Sequence, residues 1–162
     1  MTFHVTYYTI FFGNQDTDME GIMKKLSALL LMALVIAGCG SNDAKEVSGE
    51  GTAAVGENGD KVSVSLTMKG DEVVDISIDE TKEGKSKKEQ KYDYNMKEAS
   101  GIQKEWFEQI EFLEDCIKEN GIDAVELDKK TGKPTGDDVL AGCTINLTTI
   151  MEAVNNAAEN AK

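Results

Sequence analysis

Val62, Val64, Leu66 and Met68 alternate without a break with Ser63, Ser65 and Thr67. Successive side chains on a strand point to opposite faces, so this run writes one apolar and one wet face onto a single strand. Gly70-Asp71 then turns the chain, and Val74, Ile76 and Ile78 alternate with Asp75 and Ser77 to make a further strand. Upstream, Thr52 to Val55 runs into Asn58-Gly59, a strong hairpin-turn signal because both residues tolerate positive φ. Strands joined by tight turns form an antiparallel meander. Its apolar face must be covered by something later in the chain.

The cover reads as helical. Trp106, Ile110, Leu113 and Ile117 recur at helical spacing, and Asn120-Gly121 ends the run. Ser100-Gly101-Ile102-Gln103 fits a capping box, which places the helix start at Ser100. A last helix is expected from near Thr149, where Thr149-Ile150-Met151-Glu152 is another such box. It sets Ile150, Ala153, Val154, Ala157 and Ala161 on one face. Between the helices, Ala124, Val125 and Leu127 read as a short strand, and Lys129 to Gly136 as a loop. Thr81 to Lys91 reads as a solvated loop, followed by Tyr92-Asp93-Tyr94-Asn95-Met96, whose aromatics a plain linker does not need. Strands first and helices after them predict an α+β domain, an antiparallel meander with helices packed on one face.

The N-terminal part has a different character. Lys24-Lys25 precedes an uncharged run from Leu26 to Ala37, too short to span a bilayer and of the length of a signal-peptide core. The run ends in Ile36-Ala37-Gly38-Cys39, which resembles the lipobox of bacterial lipoproteins, with Ile36 in the Leu place. By that resemblance Cys39 is the lipid-attachment residue and the mature N-terminus. Residues 1–22 carry aromatics, His4 and three acids ahead of the lysines, which is wrong for a signal's charged end. Met19-Glu20-Gly21-Ile22 can also be encoded as ATG-GAG-GGN-ATH, a purine-rich ribosome-binding sequence ahead of Met23. Translation is therefore expected to start at Met23, and the expected organisation is a mis-annotated leader (1–22), a signal peptide (23–38), a tether (39–48) and one domain (49–162).

Composition removes several functions. The chain has 17 lysines and no arginine against 30 acids, a net charge of −13. Such a surface repels phosphate backbones, so nucleic acid is not an expected partner. It also repels anionic lipid, so membrane attachment must come through the lipid on Cys39. A diacylglyceryl group supplies two chains where one alone holds weakly. The single histidine, His4, lies in the leader, so the domain cannot run a His-dependent nucleophilic mechanism or build the usual His-containing zinc sites. Cys116 and Cys143 can pair in an oxidising milieu or remain free thiols; the sequence leaves both open.

Chemistry is best sought at Asp138-Val139-Leu140-Ala141-Gly142-Cys143-Thr144-Ile145-Asn146, just before the last helix. A glycine-bearing loop feeding a helix N-terminus offers free N–H groups and a positive dipole end to an anion. This loop resembles the flavin-attachment motif of the FMN-binding domain family, Asp-x-x-Ser/Thr-Gly-Ala-Thr-x-Ser/Thr. Asp138, Gly142 and Thr144 match; Ala141, Cys143 and Asn146 depart from it. Glu80-Thr81, followed by Gly84, is similar to the family's Glu-Thr signal, and the stretch from Lys87 to Trp106 also looks like small FMN-binding lipoproteins. The resemblance covers about residues 49–162. It implies an FMN-binding-domain-like fold and FMN as cofactor, held covalently through Thr144 or non-covalently. The implied binding residues are Ala141, Gly142, Cys143, Thr144, Asn146, Glu80 and Thr81.

The same resemblance implies a flavin transferase and redox proteins as partners, and an electron carrier rather than an enzyme with its own substrate. The expected place is the outer face of a Gram-positive-type membrane. The alternative is a flavin-free interaction or ligand-binding lipoprotein that keeps the fold. Asp137-Asp138 reads as a solvated turn pair or an acid/base pair, and Cys143 as a buried filler or a redox thiol whose pKa a helix N-terminus lowers.

Overall fold

A computed structural model describes residues 44–162 of the chain. The expected leader, the signal segment, Cys39 and the first part of the tether lie outside the described residues. Four strands form one antiparallel sheet in the order β1 (Glu46–Val55), β2 (Asp60–Lys69), β3 (Glu72–Lys82) and β4 (Lys85–Ser86). The helices are α1 (Lys87–Gln90), α2 (Trp106–Asn120), α3 (Asp137–Leu140) and α4 (Thr148–Asn160). The architecture is α+β, with α2 and α4 contributing to the core that covers the sheet's apolar face.

The register follows from the alternation. Val64 lies opposite Gly51 and Ile78, and Leu66 opposite Gly49 and Ile76. Val62, Val64, Leu66, Ile76 and Ile78 are buried against Trp106, Ile110, Leu113 and Ile117 of α2 and Ile150, Ala153, Val154 and Ala157 of α4. The phase slips once in β3. Thr67 pairs with Asp75 but Met68 pairs with Val73, so Val74 is an extra bulged residue. Val73 therefore turns inward, while Val74, expected on the core face, is exposed.

β1 begins at Glu46, inside the segment expected to be a tether, rather than at Thr52. The reason lies under α4. A Cβ at Gly49 would run into Ala157 O, and one at Gly51 into Ala153 O. Two of the three buried positions of β1 must therefore carry glycine, and the third is the small Ala53, so the strand shows no hydrophobic alternation.

Both edges of the sheet are stoppered by side chains from the helices. Asn156 Nδ2 donates to Thr52 O at 3.0 Å and Asn160 Nδ2 to Glu50 O at 2.8 Å, one helical turn apart along β1. On β3, Ile78 N–H donates to Glu114 Oε1 of α2. An edge strand offers unpaired backbone groups to any passing chain, and these side chains engage some of them internally.

The segment 81–91, expected as a solvated loop, is structured. β3 runs on to Lys82 and pairs with β4, and Ser86 caps α1 by accepting Glu89 N–H at 2.9 Å. Lys87 is buried, ion-paired with Glu80 and lying 5.0 Å from the Tyr94 ring and 5.5 Å from that of Trp106. An amphipathic lysine stem packed on aromatics carries no periodic signal.

α2 starts at Trp106, capped by Glu105, and not at Ser100. Gln103 has φ +55, which no α-helix tolerates, and Glu108 accepts the Glu105 N–H at 2.7 Å. The strand expected at 124–127 is absent: Ile122–Ala124 is a 3₁₀ turn and Leu127 makes a lone bridge to Pro134. α4 begins at Thr148 without the expected capping box; Asn146 Oδ1 accepts the Thr148 N–H at 2.9 Å instead.

Candidate functional site

The 141–146 loop rests on one buried glutamine. Gln109 sits on the inner face of α2, fully buried among apolar neighbours, where an uncharged polar group must find partners. Its Oε1 accepts the Thr144 N–H at 2.9 Å and lies 3.4 Å from Thr144 Oγ1. Its Nε2 donates to Ser100 Oγ at 3.1 Å and Lys104 O at 3.2 Å. The amide orientation is dictated by chemistry: a backbone N–H can only donate and a backbone carbonyl can only accept. Gln109 thus ties the 100–104 turn to the 143–144 loop.

One turn further along α2, the Phe112 ring lies flush against Gly142, leaving no room for a Cβ there. Lys104 Nζ stands 5.1 Å from the centroid of the Phe112 ring. Thr144 is half-buried, Ala141 and Asn146 are exposed, and Cys143 is fully buried. Burial pushes the Cys143 thiol up to about 11, so it is a protonated apolar filler at neutral pH. Cys116 and Cys143 are both free thiols, and burial followed by the charges of Glu119, Asp138 and Asp115 also pushes Cys116 up.

The free N–H groups expected on this loop are largely engaged. α3 folds back under it, so that Ala141 N–H donates to Asp137 O, and Gly142 and Cys143 N–H donate to Val139 O. Leu147 N–H donates to Gly132 O at 2.8 Å, and Asn146 Nδ2 to Thr131 O at 2.8 Å. Asn146 thereby stitches the 131–132 turn to the start of α4. The four-residue α3 has no periodicity to betray it, and Gln109 lies far upstream.

Glu80 and Thr81 are engaged elsewhere. Glu80 pairs with Lys87, and Thr81 Oγ1 accepts the Lys61 N–H at 2.9 Å, holding β3 to β2. Asp137 and Asp138 are exposed in the first turn of α3, and no cluster of metal-ligating side chains occurs among the described residues. A shallow groove of about 400 Å³ lies at the β1 edge, lined by Glu50, Gly51, Thr52, Asn156, Glu159 and Asn160, none from the loop.

These facts test the fit of a flavin phosphate. The loop does not present the expected cradle of amides. Thr144 does fit as an ester acceptor: the residue is half-buried rather than buried, its hydroxyl has one partner at 3.4 Å, and Lys104 stands over the Phe112 ring that packs on Gly142. Gln109, Phe112 and Lys104 were not singled out from the sequence. A glutamine set between Trp106 and Ile110 in an apolar stripe was the signal that could have flagged the first. Comparison with protein-family models, with curated proteins and with solved structures gives no match to this chain.

Proposed function

We propose that the chain is an exported, lipid-anchored domain that carries FMN on Thr144 through a phosphoester and serves as an electron carrier. The observation that supports this best is the state of Thr144. Its hydroxyl makes a single long contact of 3.4 Å, while the N–H groups of residues 141–144 are all bonded. With the loop amides engaged, a covalent bond to that oxygen is the mode of attachment the geometry favours over a non-covalent phosphate grip. Lys104 offsets phosphate charge in a chain of net charge −13. Phe112 and the Gly142 backbone hold the loop in place. The flavin would supply the electron transfer, and the protein its position and surroundings.

A second reading, a flavin-free interaction module on the same fold, is favoured by one observation: the N–H groups of residues 141–144 are bonded within the domain. Co-expression with a flavin transferase, then denaturation and intact-mass measurement, separates the two. A flavin-sized mass increase that disappears in Thr144→Ala supports the carrier. Colourless protein of unmodified mass, even after incubation with excess FMN, leaves the interaction module.

A further inference from the structure

We propose that Gln109 is the positioning residue for Thr144, holding its backbone N–H so that the residue, and the hydroxyl it carries, is set in place for an incoming phosphate. This rests on the flavin reading above.

The argument starts from the two ends of one amide. At the outer end, Oε1 is aimed at both the N–H and the hydroxyl of Thr144, at 2.9 and 3.4 Å. At the inner end, Nε2 is held by Ser100 Oγ and Lys104 O, so the amide cannot flip without setting a donor against the Thr144 N–H. The group is fully buried, which makes each broken bond costly and each kept bond directional. The short bond is to the Thr144 N–H, so Gln109 fixes the backbone of Thr144, while the 3.4 Å contact leaves the hydroxyl free to turn its hydrogen outward to an external base.

Ester formation from free FMN would require loss of water and is unfavourable, so the donor must carry its flavin phosphate in an anhydride. Thr144 Oγ1 forms a bond to that phosphorus, and the P–O bond of the anhydride breaks. The departing nucleotide phosphate keeps the electron pair. The Oγ1 proton leaves to a base on the transferase; Gln109 cannot take it, and acts only by orienting. No electron changes hands in this step.

The test uses the full chain with a flavin transferase and FAD as donor, comparing wild type with Gln109→Leu, Gln109→Glu and Thr144→Ala. Labelling is followed by intact mass, and folding by thermal melts. Gln109→Leu keeps the volume and loses the acceptor, and is expected to slow labelling about 100-fold, the scale of a misplaced reacting group. Its Thr144 amide, protected from hydrogen exchange in the wild type, becomes exchangeable while the β2 and β3 amides stay protected. Gln109→Glu restores an acceptor and is expected to recover labelling relative to Gln109→Leu. Wild-type and Gln109→Leu chains that label at the same rate while both are folded would overturn the positioning role alone. No label on the wild type would overturn the carrier reading and this proposal together.

Discussion

Glu114 accepts the backbone N–H of Ile78 at 2.6 Å, so a carboxylate on α2 closes a rung of the sheet that no strand reaches. The same oxygen accepts Lys88 Nζ at 2.7 Å, which neutralises the charge where the side chain is buried. One residue therefore joins α2, the β3 edge and the start of α1.

Replacing it should be expensive. Glu114→Ala leaves the Ile78 N–H and the Lys88 ammonium without their shared acceptor, and the expected loss is about 2–3 kcal/mol, the value of a hydrogen bond to a charged group. Glu114→Gln keeps an acceptor for Ile78 but not the charge, and should lose less. Denaturant midpoints of the two variants check the order; equal losses would show that the ion pair, not the rung, carries the effect.

At the opposite edge, Gly51→Ala sets a methyl group against the backbone of Ala153 and Ala157. Overpacking of this kind costs about 1–3 kcal/mol, and here the obstacle is main chain, which cannot rotate away. A melting temperature several degrees below wild type is expected. Gly56→Ala meets no neighbour, but its φ of +65 is strained for alanine, so it should cost less and only through the backbone. A Gly51→Ala protein as stable as wild type would contradict the close approach of α4.

The acid limb of stability should trace to two turn carboxylates. The Asp60 carboxylate accepts the N–H groups of Gly84 and Glu83, at 2.9 and 3.0 Å, which hold its pKa below the usual 3.8. The Thr131 N–H and hydroxyl, then the Lys130 N–H, do the same for Asp128. A depressed value in the folded state means that the unfolded chain binds the proton more readily. The stabilisation is therefore present above about pH 4 and fades as the pH falls through the folded-state values. Asp60→Asn and Asp128→Asn should each flatten the fall in stability between about pH 4 and pH 2. Urea melts at a series of pH values measure the slope, and an unchanged slope in the double variant would rule these residues out.

The proposed membrane link rests on the lipobox-like Ile36-Ala37-Gly38-Cys39. Cys39→Ala should release the domain from the membrane fraction without unfolding it. Retention of the variant in the membrane pellet would place the anchor elsewhere. Recovery of native peptides from Thr2 to Glu20 would likewise end the assignment of Met23 as the start.

The sheet and the two long helices were legible because each advertises a period: two residues for Val62 to Met68, and about 3.6 for Trp106 to Ile117. Where the period failed, the structure supplies the cause. The first half of β1 was silent because its inward positions are Gly49 and Gly51. Val74 took the wrong face because a bulge is a two-against-one pairing that depends on the partner strand. At the site, Gly142 and Thr144 were legible as a loop before a helix, and their location there holds. The bonding of that loop was not legible, because its amides are engaged by α3, a helix of one turn, and by Gln109 from another element.

At Gly49 and Gly51 the backbone of β1 meets the backbone of α4 directly, and the Asn156 and Asn160 amides fasten the same strand from the side. Such a joint has no slack. A helix seated on side chains can slide or tilt as they rearrange, but this one is indexed to the strand like a key in its slot. α4 and β1 should therefore move as a single body, and the loop that opens α4 inherits that steadiness. Any flexing of the molecule around Thr144 must come from the α2 side.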